Sequence, residues 1–499
     1  MRFWVLAAVI GLASLGIKLP VMLRQHAAQE EDYYDAPGWT ILREGVPRTP
    51  YLASRDPECL FYKCDEGMYA QPPLYFYWLA AVYSVLGPST GTARIACGLA
   101  GVVSTVLLAG IARKLLRSDG LALLVAGVYA FSRVVYFPWL IARMDSLCGM
   151  WGFAALLAML WSDNGARRRD AALSGLFTGL GLLTHSFALV YGIQSFIGII
   201  VRSVDRRSRL INPIVFALAA AVPLLLWLPL ILDRPDLFRM QFIRNVLAKA
   251  GPGLPSRLVW PFPMFGPHLD MFRDHAGTIQ AVVMILAVVL VGLLAQRSPG
   301  RRMLFWLAAS GIYLHITCVG LHPTKGYWCY TGGLMWIAAA SVVGWLFTEK
   351  HRPWVATAVA LMLIASLIPG GGLRTVVAHA RHWDDPNYDS RRFVKQLLER
   401  VPADAVVAVD PSYVFEFTLA GRKTLLGLEY GPFFKLSQHH FDYLIVGEYG
   451  FADGVPDLVG GLKKVEELGD KSDPFANYAA IYQPLPGRQP ATIEPAAGR

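Results

Sequence analysis

The chain has 499 residues, of which 55% are hydrophobic and only 16% charged, with a mean hydropathy of +0.41. That balance excludes an ordinary soluble globular protein and points to a chain that lives in a bilayer. The formal net charge of +10 would suit a nucleic-acid binder in a soluble chain, but here the cations sit in short clusters between apolar runs, which excludes nucleic acid and makes them a sidedness signal.

Apolar stretches near the ~20 residues needed to cross a bilayer recur from the N-terminus to about residue 370. The first, Phe3 to Leu23, carries only Arg2 before it and no small-x-small cleavage site after it, so it is expected to be a retained helix. About eleven spans are predicted, near residues 3–23, 94–112, 120–140, 146–162, 171–184, 186–201, 211–232, 278–296, 303–321, 327–347 and 353–370. Five basic clusters lie between them: Arg113, Lys114 and Arg117; Arg167 to Arg169; Arg202, Arg206, Arg207 and Arg209; Arg297, Arg301 and Arg302; Lys350 and Arg352. Putting all five in the cytoplasm places the N-terminus inside and the C-terminus outside a plasma membrane of bacterial inner-membrane type.

Two segments depart from full spans. Residues 171–201 are too short for two complete crossings and read as two short helices meeting near His185, an arrangement that needs protein or water around the helix ends. The aromatic run after Pro72 and Pro73 is about fifteen residues long and reads as an interfacial helix within a first outer loop spanning 24–92. A second outer loop, 233–277, is rich in proline and aromatics.

From about Gly371 the composition becomes that of a soluble unit. The helical spacing at SRRFVKQLLERV (Ser390), and the strand-like runs AVVAVD (Ala405) and DYLIVGE (Asp442), predict a small extracytoplasmic α/β domain over 371–483, followed by a proline-rich tail, 484–499, expected to be disordered. The fold class is thus an all-α polytopic bundle over residues 1–370 with a small C-terminal α/β domain. Four of the six cysteines lie in apolar segments, whereas Cys59 and Cys64 share the polar first outer loop, on the side where a disulfide is permitted.

Chemistry-bearing residues concentrate at the outer ends of spans. Glu30, Glu31, Asp32 and Asp35 follow directly on the first span. They read either as a solvated helix end or as part of a site. Asp145, two residues after Arg143, sits in the short turn between the third and fourth spans, as an interfacial ion pair or a second acid. His185, His322 and His268 read as structural histidines near helix ends. No HExxH, zinc-type cysteine cluster or Walker loop is present, and the GxGxxG-like glycines occur inside apolar helices, where close packing explains them.

In order, EEDYYDAPGWTILREG, QPPLYFYWLAAVYSVLGPSTGTARIACG, ARMD and GLLTH, with HPTKGYWCY late in the chain, resemble membrane glycosyltransferases of the GT-C class, in the branch of protein O-mannosyltransferases and lipid A aminoarabinose transferases. The resemblance implies an inverting transfer of sugar from a polyprenyl-phosphate donor to a hydroxyl of a glycan, lipid or protein on the outer face. By it, Glu30 and Glu31 match the early acidic pair, with Glu31 the preferred base, and Asp145 matches the second acid. Gln71 and His185 stand where many relatives carry lysine, so the charge on the donor phosphate falls to Arg143, Lys325 and Arg94, with His185 and Tyr327 beside them, and Lys63, Arg244 and Arg257 as further cations.

The chemistry requires the same residue types. A carboxylate within hydrogen-bond reach of the acceptor takes its proton as the anomeric carbon is attacked, and positive charge meets the departing phosphate. That charge comes from Arg or Lys, or from a divalent cation held by Glu31 and Asp145. A transporter or flippase of a lipid-linked substrate is the competing class. Against it, the acids gather at one surface instead of lining a route, and no inverted repeat is evident.

Overall fold

The computed structural model describes residues 1–250, 253–320, 325–367, 372–431 and 433–486. Helix starts follow local capping chemistry. Ser89, Ser118 and Ser298 each accept an N–H from the first turn of the helix they precede, and Pro299 follows the last of them at a position where its missing donor costs nothing. These begin α5 (Thr90–Leu116), α6 (Asp119–Phe131) and α18 (Pro299–Val319).

Helix α1 (Arg2–Arg24) leads into two short helices, α2 (Glu31–Tyr34) and α3 (Ala36–Glu44), and then α4 (Leu74–Leu86), which matches the expected interfacial segment in position. After α5 and α6 come α7 (Arg133–Leu140), α8 (Asp145–Met159), α9 (Arg168–Leu182), α10 (Leu189–Arg202) and α11 (Arg206–Leu225). A string of short helices follows, α12 (Leu228–Asp233), α13 (Pro235–Leu237), α14 (Arg244–Ala250) and α15 (Leu254–Val259), then α16 (Phe262–Ala276) and α17 (Thr278–Leu293). The bundle is completed by α18, α19 (Cys329–Thr348) and α20 (Pro353–Ala365).

Among the described residues, α1, α5, α11, α18 and Gly326–Thr348 are each long and apolar enough to cross a membrane. Several other predicted spans are shorter apolar helices, among them α8, α17 and α20. The span expected over 120–140 is two helices, α6 and α7, bent by 57° at Ser132. The break is held from outside: Ser14 Oγ and Lys18 Nζ donate to the Ala130 carbonyl at 2.6 and 2.9 Å, replacing the partner that the bend removes. As expected, the helices α9 and α10 meet at His185, joined by the one-turn 3₁₀ segment Ser186–Ala188.

Glycines set the closest helix crossings. A Cβ at Gly175 or Gly179 in α9 would fall 2.2 or 2.3 Å from the carbonyl oxygens of Phe216 and Ala220 in α11, so α9 and α11 approach backbone to backbone. At Gly101 a Cβ would enter the Trp139 indole, which seats α7 on α5.

The C-terminal unit begins with α21 (Leu373–Arg381) and α22 (Ser390–Arg400), the latter capped by Asp389. Its strands are β1 (Val406–Val409), β2 (Lys423–Leu426), β3 (Glu429–Tyr430), β4 (Phe434–Lys435), β5 (Tyr443–Val446), β6 (Leu462–Gly469) and β7 (Tyr478–Pro484). The main sheet runs β2-β1-β5-β7-β6, with β1 parallel to β2 and β5, and β7 antiparallel to both its neighbours. The expected α/β unit is therefore present; residues 487–499 of the expected tail lie outside the described residues.

One apolar core joins this unit to the first loop. Trp39 and Tyr83 pack on Phe415, and Phe61 packs on Phe433. Backbone hydrogen bonds run from Ala27 N to Ser412 O and from Leu426 N to Tyr51 O. The loop that carries the early acids is thus clamped between the bundle and the C-terminal unit.

Candidate active site

The last turn of α1 delivers Gln25 and His26 to the end of the bundle, and Glu30 then turns the chain sharply with φ 89°, a left-handed conformation that costs a non-glycine residue energy. Its amide donates to Asp32 Oδ1 at 2.7 Å. Tyr51 pins the other side of α2 by donating to the Asp32 carbonyl, and Thr49 Oγ1 donates to the Tyr33 carbonyl at 3.1 Å. Because the turn falls between them, adjacent glutamates find different partners.

Glu31 is fully buried and fully engaged. Oε1 accepts from Arg94 Nε at 2.8 Å and from the amide of Ala142 at 2.5 Å; Oε2 accepts from Arg94 Nη2 at 2.5 Å and from the amide of Ala28 at 2.6 Å. Arg94 in turn donates to the carbonyls of Gln25 and His26 at 2.7 and 2.6 Å. The pair ties the end of α1, the start of α5 and the 141–144 turn into one knot. Sequence reasoning favours Glu31 as the base; here each of its two oxygens accepts two N–H donors.

Glu30 is placed differently. Its side chain is 33% exposed, and Oε2 accepts from Arg143 Nη1. Arg143 also donates through Nε to Asp145 Oδ2 at 2.8 Å, and Asp145 Oδ1 accepts from the Tyr330 hydroxyl at 2.8 Å. Arg143 and Asp145 are buried. An arginine thus bridges two carboxylates, one buried and one reaching solvent.

Aromatic side chains wall this chain of charges. Tyr330 stacks on Phe187 with centroids 4.6 Å apart, His185 lies 5.7 Å from the Tyr327 ring, and the Arg143 guanidinium sits 5.8 Å over Tyr327. His185 Nδ1 accepts from the Phe187 amide at 3.1 Å, which holds its ring at the junction of α9 and α10. The structure therefore gathers Glu30, Glu31, Arg94, Arg143, Asp145, His185 and Tyr327 at one end of the bundle. Tyr330 is the addition that sequence reasoning missed; it lies one helical turn after Tyr327, and that spacing was the available signal.

Other expected residues lie elsewhere. Lys63 pairs with Glu66 at 3.2 Å, Arg244 with Glu58 at 2.5 Å, and Arg257 donates to the Thr317 carbonyl at 3.1 Å. All three are engaged by residues other than the acids of the candidate site. Gln71 donates to the Tyr34 hydroxyl at 3.2 Å. His268 is buried, with Nε2 against the Gly320 carbonyl at 2.8 Å, as a structural histidine would be. His322 and the Lys325 side chain lie outside the described residues. The expected disulfide is absent: Cys59 and Cys64 are free, buried thiols, Cys59 donating to the Phe433 carbonyl and Cys64 lying 3.5 Å from the Met68 sulfur. Three successive turns, closed by Cys59 N to Asp56 O, Tyr62 N to Cys59 O and Cys64 N to Phe61 O, run through the 56–64 segment.

Glu31 and Asp145, the pair expected to hold a divalent cation, are both engaged by other groups. The oxygens of both already accept from arginine, amide or tyrosine donors, and among the described residues no three His, Cys, Asp or Glu side chains cluster with metal-binding geometry.

Residues 70–232 match the family model for dolichyl-phosphate-mannose-protein mannosyltransferase. The structure resembles ArnT from Cupriavidus metallidurans bound to undecaprenyl phosphate, at 12% identity and a TM-score of 0.57, covering 100% of this chain and 98% of that one. The chain has the GT-C fold. The family match and the fold together identify a membrane glycosyltransferase. The fold is shared with the Archaeoglobus fulgidus oligosaccharyltransferase in complex with zinc and sulfate (13% identity, TM-score 0.51, 89% of this chain and 67% of that one). The same enzyme tethered to an acceptor peptide containing the NVT sequon matches at 12% identity with a TM-score of 0.52, covering 99% and 74%. No curated protein matches the chain in sequence.

Proposed function

We propose that this GT-C protein transfers a sugar from a polyprenyl-phosphate donor to an acceptor hydroxyl, with inversion, and that Glu30 is the base. The observation that carries the proposal is the Glu30–Arg143–Asp145 bridge, in which the carboxylate that reaches solvent is held by the same guanidinium that is suited to a phosphate. In the resting protein Glu30 neutralises Arg143. A donor phosphate arriving at Arg143 competes with Glu30 for its N–H groups and releases the carboxylate to accept a proton from the acceptor hydroxyl. Asp145, buried and held by Tyr330, stays on Arg143 Nε and keeps the guanidinium aimed.

Attack on the anomeric carbon then breaks its bond to the phosphate, whose growing charge Arg143 meets. The hydroxyl proton goes to Glu30. A fold relative that was crystallised with undecaprenyl phosphate supports a polyprenyl carrier. The orientation follows the positive-inside rule: the five basic clusters lie in the cytoplasm, and the site, the first loop and the C-terminal unit face the other side of a multi-pass bacterial inner membrane.

Mass spectrometry of lipids, glycans and envelope proteins from a host with and without the gene tests this. A mass difference of one glycosyl unit that disappears with Glu30→Gln is the expected result. No difference in any fraction, with the protein present and folded, would overturn it.

A further inference from the structure

The helices that build the site also build its opposite end. Helix α5 carries Arg94 at the site and Lys114 twenty residues later, ~30 Å away at 1.5 Å per residue. Helix α8 likewise starts at Asp145 and ends beside Leu160. Between those far ends and the start of α18 lies a cavity of about 800 Å³, lined by Lys114, Arg117, Arg202 and Arg302 and by one acid, Asp163. It is too distant to belong to the sugar-transfer site.

Its charge is unbalanced. Asp163 pairs with Lys114 at 3.2 Å and, with Asp170, lies near enough to Arg202 to act on its charge, but among the described residues no carboxylate lies within salt-bridge distance of Arg117, Arg202 or Arg302, so four cations face one lining acid. Arg202 spends Nη2 on the Ser162 carbonyl, while its buried Nε has no partner. Helix α18, 21 residues long, opens onto the same space with its N-terminal turn, and Gly300 lets that turn touch α5, since a Cβ there would fall 2.4 Å from the Leu115 carbonyl. The remaining wall is apolar, with Leu116, Val201 and Trp306 among its residues.

We propose that this cavity binds the phosphate headgroup of an anionic glycerophospholipid. Cations converging at a helix N-terminus suit a phosphate. Apolar side chains on the same wall suit the glycerol and the first acyl carbons, and the cavity lies between the ends of apolar helices α5 and α18, both long enough to cross a membrane. The volume lies in the range of sites that enclose a small ligand. A soluble phosphate shares the headgroup chemistry but uses none of the apolar wall.

The test is native mass spectrometry of the full chain released from vesicles of phosphatidylcholine and phosphatidylglycerol. The expected result is preferential retention of phosphatidylglycerol. It should fall about thirty-fold in an Arg202→Gln, Arg302→Gln pair, the change expected for two juxtamembrane cations. An Arg202→Lys, Arg302→Lys pair should keep most of it, and inorganic phosphate should not displace the lipid. Equal retention of both lipids, full retention by the glutamine pair, or displacement by inorganic phosphate would each overturn the proposal. If the glutamine pair fails to fold, Lys114→Gln with Arg117→Gln asks the same question on helix α5.

Discussion

Two adjacent glutamates each meet an arginine, and the two pairs are in opposite states. Glu31 and Arg94 are both buried, bond through two N–H···O contacts and use their remaining capacity on backbone groups. Glu30 and Arg143 share one contact, with Glu30 partly in solvent and Arg143 divided between two acids. Residue type does not distinguish the pairs. What distinguishes them is burial: an ion pair with both members buried is a clasp, and one whose carboxylate reaches solvent can exchange partners with a ligand.

The comparison breaks most sharply at Glu30. Glu30→Gln should lower the transfer rate by roughly 10²- to 10⁴-fold, the usual worth of a positioned general base, with thermal stability close to the parent protein because no clasp is lost. Single-turnover assays with a polyprenyl-phosphate sugar, beside a melting curve, read both. Retained turnover would hand the base to another group.

Glu31→Gln inverts the pattern. Removing one charge from a fully buried pair leaves Arg94 uncompensated, and such losses run to about 3–5 kcal/mol. The variant should unfold earlier, and Glu31→Gln with Arg94→Gln should recover part of the loss. If Glu31→Gln instead melts like the parent protein and only its catalysis suffers, the roles assigned to the two glutamates are exchanged.

Arg143→Gln sharpens the comparison from the other partner. It removes the guanidinium shared by Glu30, Asp145 and, on the proposed mechanism, the donor phosphate. Loss of one charge-assisted contact should weaken donor binding by about ten- to a hundredfold, seen as a raised KM or a weaker Kd for undecaprenyl phosphate. An unchanged affinity would move phosphate recognition away from Arg143.

The membrane class, the helix junction at His185 and the C-terminal α/β unit were legible because each rests on local pattern: hydropathy, length and periodicity. The candidate site's residues were legible in part, as acids and cations at helix ends in a fixed order. The partners were not. Glu30 and Glu31 are neighbours, and one left-handed φ at Glu30 decides which arginine each meets. The bend between α6 and α7 depends on Ser14 and Lys18, more than a hundred residues earlier. Lys63 and Arg244 resembled phosphate ligands until their acids, Glu66 and Glu58, came into view.

The smallest expected effect concerns Asp35, in the same acidic stretch but outside both pairs. It is fully buried at the interface with the C-terminal unit, and burial, with Glu31 and Glu416 nearby, raises its pKa well above the usual carboxylate range. A raised carboxyl favours the protonated form in the folded chain. Below the unfolded value of ~3.9 both states hold the proton and pH has no leverage. As pH rises from there towards the folded value, the unfolded chain releases its proton while the folded chain keeps it, so stability is progressively lost. Asp35→Asn keeps the shape and removes the titration. It should therefore leave stability near the parent's at about pH 4 and exceed it increasingly as pH rises from there, by a few degrees in melting temperature. Melting curves across that range decide the matter: a parallel offset at every pH would mean that Asp35 is ionised in the folded protein and is held by a cation or donors, as the two glutamates are.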